Sequence, residues 1–354
     1  MNPANKTTAF TAVTLAFCLC LAAACTADRG GLPVYELRGE TMGTSFSIKV
    51  VEPPDGIDMA RIGRDVEAEI FEVETRMSTY NDDSEISRFN RYRGTDWFAV
   101  SAVFCDTINE ALRLAERTGG AFDVTVGPVV NLWGFGPTGR IEAPPDASEL
   151  AERLALTGRD KLHADCTRPA IRKDLAELYV DLSAYAKGYA VDRAAAKLHG
   201  GGLTNFLVEI GGEIRAAGHN ARRKPWSIAV ERPVAGGRSV QSVYELADAA
   251  MATSGDYRNF FEHEGLRYSH TIDPRTGRPV RHDGASVTVI ADTAADADGL
   301  ATALLVMGPV AGFEFAERQS IAAYFLIRDG DGIAERETPA FLSRTRPAPG
   351  RDRQ

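Results

Sequence analysis

Basic charge is scarce in this 354-residue chain: 40 Lys and Arg stand against 49 Asp and Glu, giving a formal net charge of -9 and a pI near 5.3. The sequence carries no basic footprint, which excludes nucleic acid as the main partner. Cysteine is scarce too. The five present include no Cys-x-x-Cys and no Cys/His zinc spacing, so a zinc-finger type of site is excluded. Neither a Gly-x-Gly-x-x-Gly nor a P-loop occurs, and neither standard nucleotide-binding fold is indicated. There is no repeat of solenoid period and no long low-complexity linker, which favours one domain over several. What remains is an ordinary globular composition, 44% hydrophobic and 25% charged, able to bury one large core or two smaller ones.

The N-terminus is different in character. Lys6 precedes an uncharged apolar or small-residue run from Thr8 to Ala24, which predicts an export signal over residues 1–24. At about 17 residues the run is at the short limit for a membrane-spanning helix. It ends in Leu21-Ala22-Ala23-Ala24-Cys25, which resembles a bacterial lipoprotein cleavage site with Cys25 as the lipidated residue, although Leu sits one place early. Ordinary secretion or an uncleaved anchor is the alternative. The expected layout is then a tether at 25–32, a folded body at 33–344 and a loose Arg- and Pro-rich tail at 345–354. Cys18 and Cys20 leave with the signal. Cys105 and Cys166 stay in the body, where export permits a disulfide and two separate buried thiols fit equally well.

Within the body, short β-branched runs predict strands at 34–38, 45–51, 178–182, 206–210, 226–230, 286–290 and 322–327. Helical spacing of apolar residues is clearest at Ile62, Val66, Ile70, Val73 and Met77, and again at Phe104, Ile108, Ala111, Leu112 and Ala115, predicting two amphipathic core helices. Further helices are expected from Ser183 to about Leu198 and from Asp296 to about Met307.

Several segments carry chemistry. Asp298 and Thr302 are four residues apart, so on a helix their carboxylate and hydroxyl stack on one face while Leu300, Leu304 and Leu305 pack elsewhere. Two hard oxygens so placed suit a small hard cation such as Mg²⁺. The pair also fits a helix-terminal Asp with a Thr bonded back to the backbone. The segment from Val180 to Asp192 predicts a buried strand feeding a helix, whose free N–H groups suit phosphate, with Lys187 either neutralising that charge or solvated. Ser183 and Lys187 do not make a Ser-Lys nucleophile pair, because that chemistry needs Ser-x-x-Lys. The glycines of 118–128, Trp133-Gly134-Phe135-Gly136 and Gly211-Gly212 allow close backbone approach to a flat ring, and also fit tight turns. His270 stands at a predicted strand end before Pro274 and fits either a general base or a structural histidine.

Taken together and in order, these segments resemble the ApbE family of FAD:protein FMN transferases. The likeness runs through Glu40-Thr41-Met42-Gly43-Thr44, Met77-Ser78-Thr79-Tyr80, Ser84-Glu85-Ile86-Ser87, Gly120 to Thr125, Asp181 to Asp192, Ile210-Gly211-Gly212, Thr253 to Tyr257, His270 to Pro279 and Asp298 to Thr302. It implies an α+β fold, a single domain with mixed or antiparallel sheets packed against helices and an FAD pocket between the two halves. By position it implies FAD contacts from Met42, Tyr80, Ala121, Phe122, Asp123, Asp181, Lys187 and Ile272. It places Mg²⁺, or Mn²⁺, on the carbonyl of Ala184 with Asp298 and Thr302. The implied reaction is attack of an acceptor Thr or Ser hydroxyl on the FMN-side phosphorus of FAD with loss of AMP, His270 and Asp181 being the candidate catalytic residues. With water in place of the hydroxyl, the same site is an FAD pyrophosphatase, and without turnover it is a flavin carrier. The implied partners are exported subunits of membrane redox complexes, met by an enzyme lipid-anchored on the periplasmic side of the membrane. Glu209 and the 158–160 segment depart from the family pattern.

Overall fold

The computed structural model describes residues 31–234 and 239–347. The export signal, Cys25 and most of the tether therefore lie outside the described residues, as does the tail beyond 347. The body is α+β, organised on one antiparallel sheet. Its strands run, edge to edge, Val34–Thr41, Thr44–Val51, Phe206–Ile210, Glu213–Ala217, Ala249–Gly255, Gly284–Ala291, Ala322–Asp329 and Gly332–Glu337. Sequence-distant segments meet at its centre, where Met251 lies opposite Ile214 on one side and Ile290 on the other.

Both faces of this sheet are covered. Ile48, Val208, Ile210, Ala252, Val287, Val289 and Phe325 point into a core shared with the helices. Val51, Ala216, Met251, Ile290, Tyr324 and Leu326 point the other way, against a small sheet carrying Trp226, Ile228 and Tyr244 and against Phe341. Burial on two sides explains why Gly284–Ala291 shows no alternation of exposure, Ser286 and Thr288 being as buried as Val287 and Val289.

Three helices matter most for the site. Met59–Met77 buries Val66, Ile70, Val73 and Met77 at helical spacing and starts at Asp58, whose side chain accepts the Arg61 N–H. Ala186–Gly200 and Ala294–Met307 cross at Gly188, where a β-carbon would lie 2.3 Å from the Ala294 carbonyl oxygen. Only glycine permits that approach. Just beyond the crossing, Asp192 accepts the backbone N–H groups of Ala294 and Ala295 at 2.8 and 2.9 Å, satisfying donors that a helix start leaves open. Ala294–Met307 begins two residues before the expected Asp296, with Thr293 as its cap.

The structure corrects two expectations. Residues 178–182 form no strand. Leu178, Val180 and Leu182 are buried, as their alternation predicts, yet the backbone pairs with a side chain: the Asn90 amide donates to the Val180 carbonyl and accepts its N–H. The tail also starts later than 345. The Thr345 hydroxyl donates to the Phe341 carbonyl, and Arg346 and Pro347 pair with Glu245 and Tyr244, so backbone pairing holds this stretch. The open question of the two body cysteines resolves as a disulfide between Cys105 and Cys166, with Cα atoms 5.6 Å apart.

Candidate functional site

Where the two crossing helices meet the strand-to-strand turns, the protein encloses a cavity of about 640 Å³. It draws on residues from Thr79 to Thr302, so early and late parts of the chain build it jointly. Tyr80, Ala121, Phe122, Asp123, Asp181, Ala184, Lys187, His270, Ile272, Asp298 and Thr302 all line it. Met42 does not. It occupies the turn between the first two strands with a φ of 48° and packs on the core instead.

The helical wall carries the charge. Asp298 is neither a helix cap nor solvated: it is 3% exposed, and its Oδ2 accepts the Gly188 N–H at 3.2 Å. The Gly188 crossing thus brings this carboxylate onto the first turn of the neighbouring helix. Lys187 follows from the same geometry, its Nζ lying 3.6 Å from Asp298 Oδ2 and 2.9 Å from Glu213 Oε1. Burial alone would lower the lysine pKa, but the two carboxylates raise it above the ordinary value, so the ammonium stays charged. Thr302 does not bond back to its helix; its hydroxyl shares a 2.9 Å hydrogen bond with that of Ser254, on the central strand.

Glu213 is the residue the sequence reading missed. It opens the Glu213–Ala217 strand directly after the Gly211-Gly212 turn, where φ values of 64° and 108° give the doubly left-handed backbone of a tight hairpin. Its carboxyl group is 3% exposed, and burial pushes its pKa up to about 7 despite the Lys187 ammonium. Its Oε2 is buried without a hydrogen-bond partner. The available signal was an acidic residue paired across the hairpin with buried Ile210. Glu209, a departure from the family pattern, also lines the cavity and accepts the Gly212 N–H.

Two aspartates act on their own loops. Asp123 accepts the Thr125 N–H and hydroxyl on Oδ1 and the Arg159 N–H on Oδ2, which locks the loop carrying Ala121 and Phe122. Burial raises its pKa even so. Asp181 accepts the Ser183 N–H and hydroxyl, fixing the turn that presents Ala184. Tyr80 is 71% exposed and so reaches the cavity from its rim.

The facing wall is built from turns and aromatic rings. His270 follows the Leu266–Ser269 strand, as expected, and its Nδ1 lies 3.0 Å from the Asn259 carbonyl oxygen. A carbonyl only accepts, so Nδ1 carries the proton and Nε2 keeps its lone pair. Burial, more than the nearby Lys187 charge, holds the imidazole pKa below its usual value. Behind this wall Trp133, Tyr268 and Phe261 stack, and the Trp133 ring N–H donates to the Gly277 carbonyl at 2.8 Å.

Similarity to known proteins covers this whole arrangement. Residues 42–325 match the model of the ApbE family. The FAD:protein FMN transferase of Vibrio cholerae is 47% identical over 86% of the chain and 91% of that protein, and the enzyme of the same name from Haemophilus influenzae is 46% identical over 88% and 92%. Among solved structures, the flavin transferase ApbE of Vibrio cholerae superposes with a TM-score of 0.81 at 45% identity, over 88% of this chain and 98% of that one. The flavinyl transferase ApbE of Pseudomonas stutzeri, in its apo form, gives 0.82 at 38% identity over 90% and 98%.

Proposed function

Since the chain belongs to the ApbE family and is a flavin transferase, we propose that it moves FMN from FAD onto a Thr or Ser hydroxyl of an acceptor protein and releases AMP. The observation that carries this reading is the convergence of an ammonium, a carboxylate, a hydroxyl and a neutral imidazole on one cavity of a size suited to an organic ligand.

The donor set fits Mg²⁺. Among the described residues no cluster of three His, Cys, Asp or Glu is placed to hold a metal, which argues against an imidazole- or thiolate-bound ion. Ala184, Asp298 and Thr302 offer instead one carboxylate, one hydroxyl and one carbonyl, all hard oxygens, and a magnesium ion completes such a set with water and substrate phosphate. When bound there, the ion supplies charge neutralisation on the pyrophosphate. Asp181 positions the turn that bears the Ala184 carbonyl. Lys187 stays charged beside the phosphates, and Ala121, Phe122 and Ile272 offer apolar surface to the flavin.

The acceptor hydroxyl oxygen bonds to the FMN-side phosphorus while the bond from that phosphorus to the bridging oxygen breaks, and AMP leaves with that oxygen. The hydroxyl proton passes to Nε2 of His270, the one ring nitrogen with a free lone pair. The setting is proposed to be the periplasmic side of the membrane, with a lipid on Cys25 and acceptors among exported subunits of redox complexes. The Cys105–Cys166 disulfide supports an oxidising compartment.

The test incubates purified protein with FAD, Mg²⁺ and an acceptor carrying a reactive Thr or Ser. In-gel flavin fluorescence on the acceptor with one AMP per label is the expected result. AMP with free FMN and no label means hydrolysis, and intact bound FAD means a carrier; either outcome overturns the proposal.

A further inference from the structure

The least explained group in the cavity is Glu213. It is far from Asp298 in sequence and joined to it only through Lys187, whose Nζ is 2.9 Å from Glu213 and 3.6 Å from Asp298. One carboxylate oxygen of Glu213 holds the ammonium, and the other is buried with no partner. A buried acceptor without a donor is costly to keep. The local backbone is also shaped around it: a β-carbon at Gly211 would come within 3.3 Å of both Glu213 Oε2 and the Lys187 side chain.

Resting on the magnesium reading above, we propose that Glu213 is a positioning residue that draws Lys187 off Asp298, leaving that carboxylate for a divalent cation while keeping the ammonium beside the phosphates. The charges decide the direction. With all three groups ionised, above the Glu213 pKa of about 7, Glu213, Asp298 and Lys187 together carry one net negative charge. Without the Glu213 charge the group is neutral, and Lys187 has only Asp298 to pair with, so ammonium and cation compete for one carboxylate. The unpartnered Oε2 is the acceptor awaiting a second N–H of Lys187 once a cation takes Asp298. Glu209 lines the same cavity, but its carboxylate is committed to the Gly212 N–H and carries the same charge in every variant below.

The experiment titrates Mn²⁺ into purified FAD-free protein and reads free Mn²⁺ by its electron paramagnetic resonance signal. Asp298→Ala is expected to abolish binding. Glu213→Gln should weaken it about tenfold or more, and Lys187→Met should tighten it several-fold. The Lys187→Met/Glu213→Gln double variant restores the net charge and should return to within about threefold of the unaltered protein. A purely structural role for Glu213 would not be rescued by removing the lysine. If Asp298→Ala abolishes binding while Glu213→Gln binds within about twofold of the unaltered protein, the proposal falls and the metal site stands. If the unaltered protein fails to bind Mn²⁺, or Asp298→Ala binds it equally well, the magnesium reading falls. Should Glu213→Gln not fold, as judged by loss of a cooperative melt, Lys187→Met decides: no tightening overturns the proposal.

Discussion

The two walls of the cavity are made of different material. The helical wall gathers Asp298, Lys187 and Glu213, all but the lysine nearly inaccessible to water, each tied to a neighbouring element by a hydrogen bond or ion pair. The facing wall holds His270, set on a turn and backed by a small aromatic cluster. Packed helices fix charge firmly, because Gly188 and Asp192 leave the two helices a single way to meet. A turn fixes a tautomer, because one carbonyl decides which imidazole nitrogen is free. Under the proposed function, phosphate and metal fall to the first wall and proton movement to the second.

The comparison breaks most visibly at Asp298. Asp298→Ala should lower transfer by about a thousandfold or more at saturating Mg²⁺, measured as flavin fluorescence on the acceptor. Activity within about tenfold of the unaltered enzyme would remove the helical wall from the chemistry.

His270→Asn should cost less, about a hundredfold in kcat, and leave Mn²⁺ binding unchanged, because the ring is not among the proposed ligands. The pH profile sharpens this. A protonated imidazole cannot accept a proton, and burial holds the His270 pKa below 6.5. His270 should therefore contribute an acid limb with its midpoint below 6.5, apart from any loss that follows protonation of Glu213 near pH 7. His270→Asn should lack this acid limb; if the limb persists unchanged in the variant, it belongs to another group.

Much of this was legible where function lies within one element. Asp298 and Thr302 share a helix and line one cavity, as their spacing suggested, and periodicity marked the helices around Val66 and Ile108. Contacts between elements were not legible. Glu213 meets Lys187 across 26 residues, through a hairpin and a helix that the sequence does not dock. Residues 178–182 alternate like a strand, but their partner is the Asn90 side chain, and no periodicity distinguishes a side-chain amide from a neighbouring strand. The central strand Ala249–Gly255 escaped because it is built of small residues with weak β preference. They are small because the Ala294–Met307 helix packs against that strand.

The smallest expected effects ask whether the walls are separable at all. Asp192→Asn keeps one oxygen for the Ala294–Met307 terminus but loses the second acceptor and the charge facing the helix dipole, a loss of about 1–2 kcal/mol. Trp133→Phe keeps an aromatic ring in the stack on Tyr268 but leaves the Gly277 carbonyl without its donor, about 1–2 kcal/mol. Urea midpoints should show both losses at similar size. Function should divide them: Asp192→Asn loosens the helix crossing and should weaken Mn²⁺ binding a few-fold while leaving the acid limb in place. Trp133→Phe should shift that limb or slow transfer with Mn²⁺ affinity unchanged, since the aromatic cluster backs the turn that bears His270 and contains none of Asp298, Thr302 and Ala184. If each variant instead disturbed both readouts equally, the cavity would respond as one cooperative unit, and assigning metal and proton to separate walls would fail.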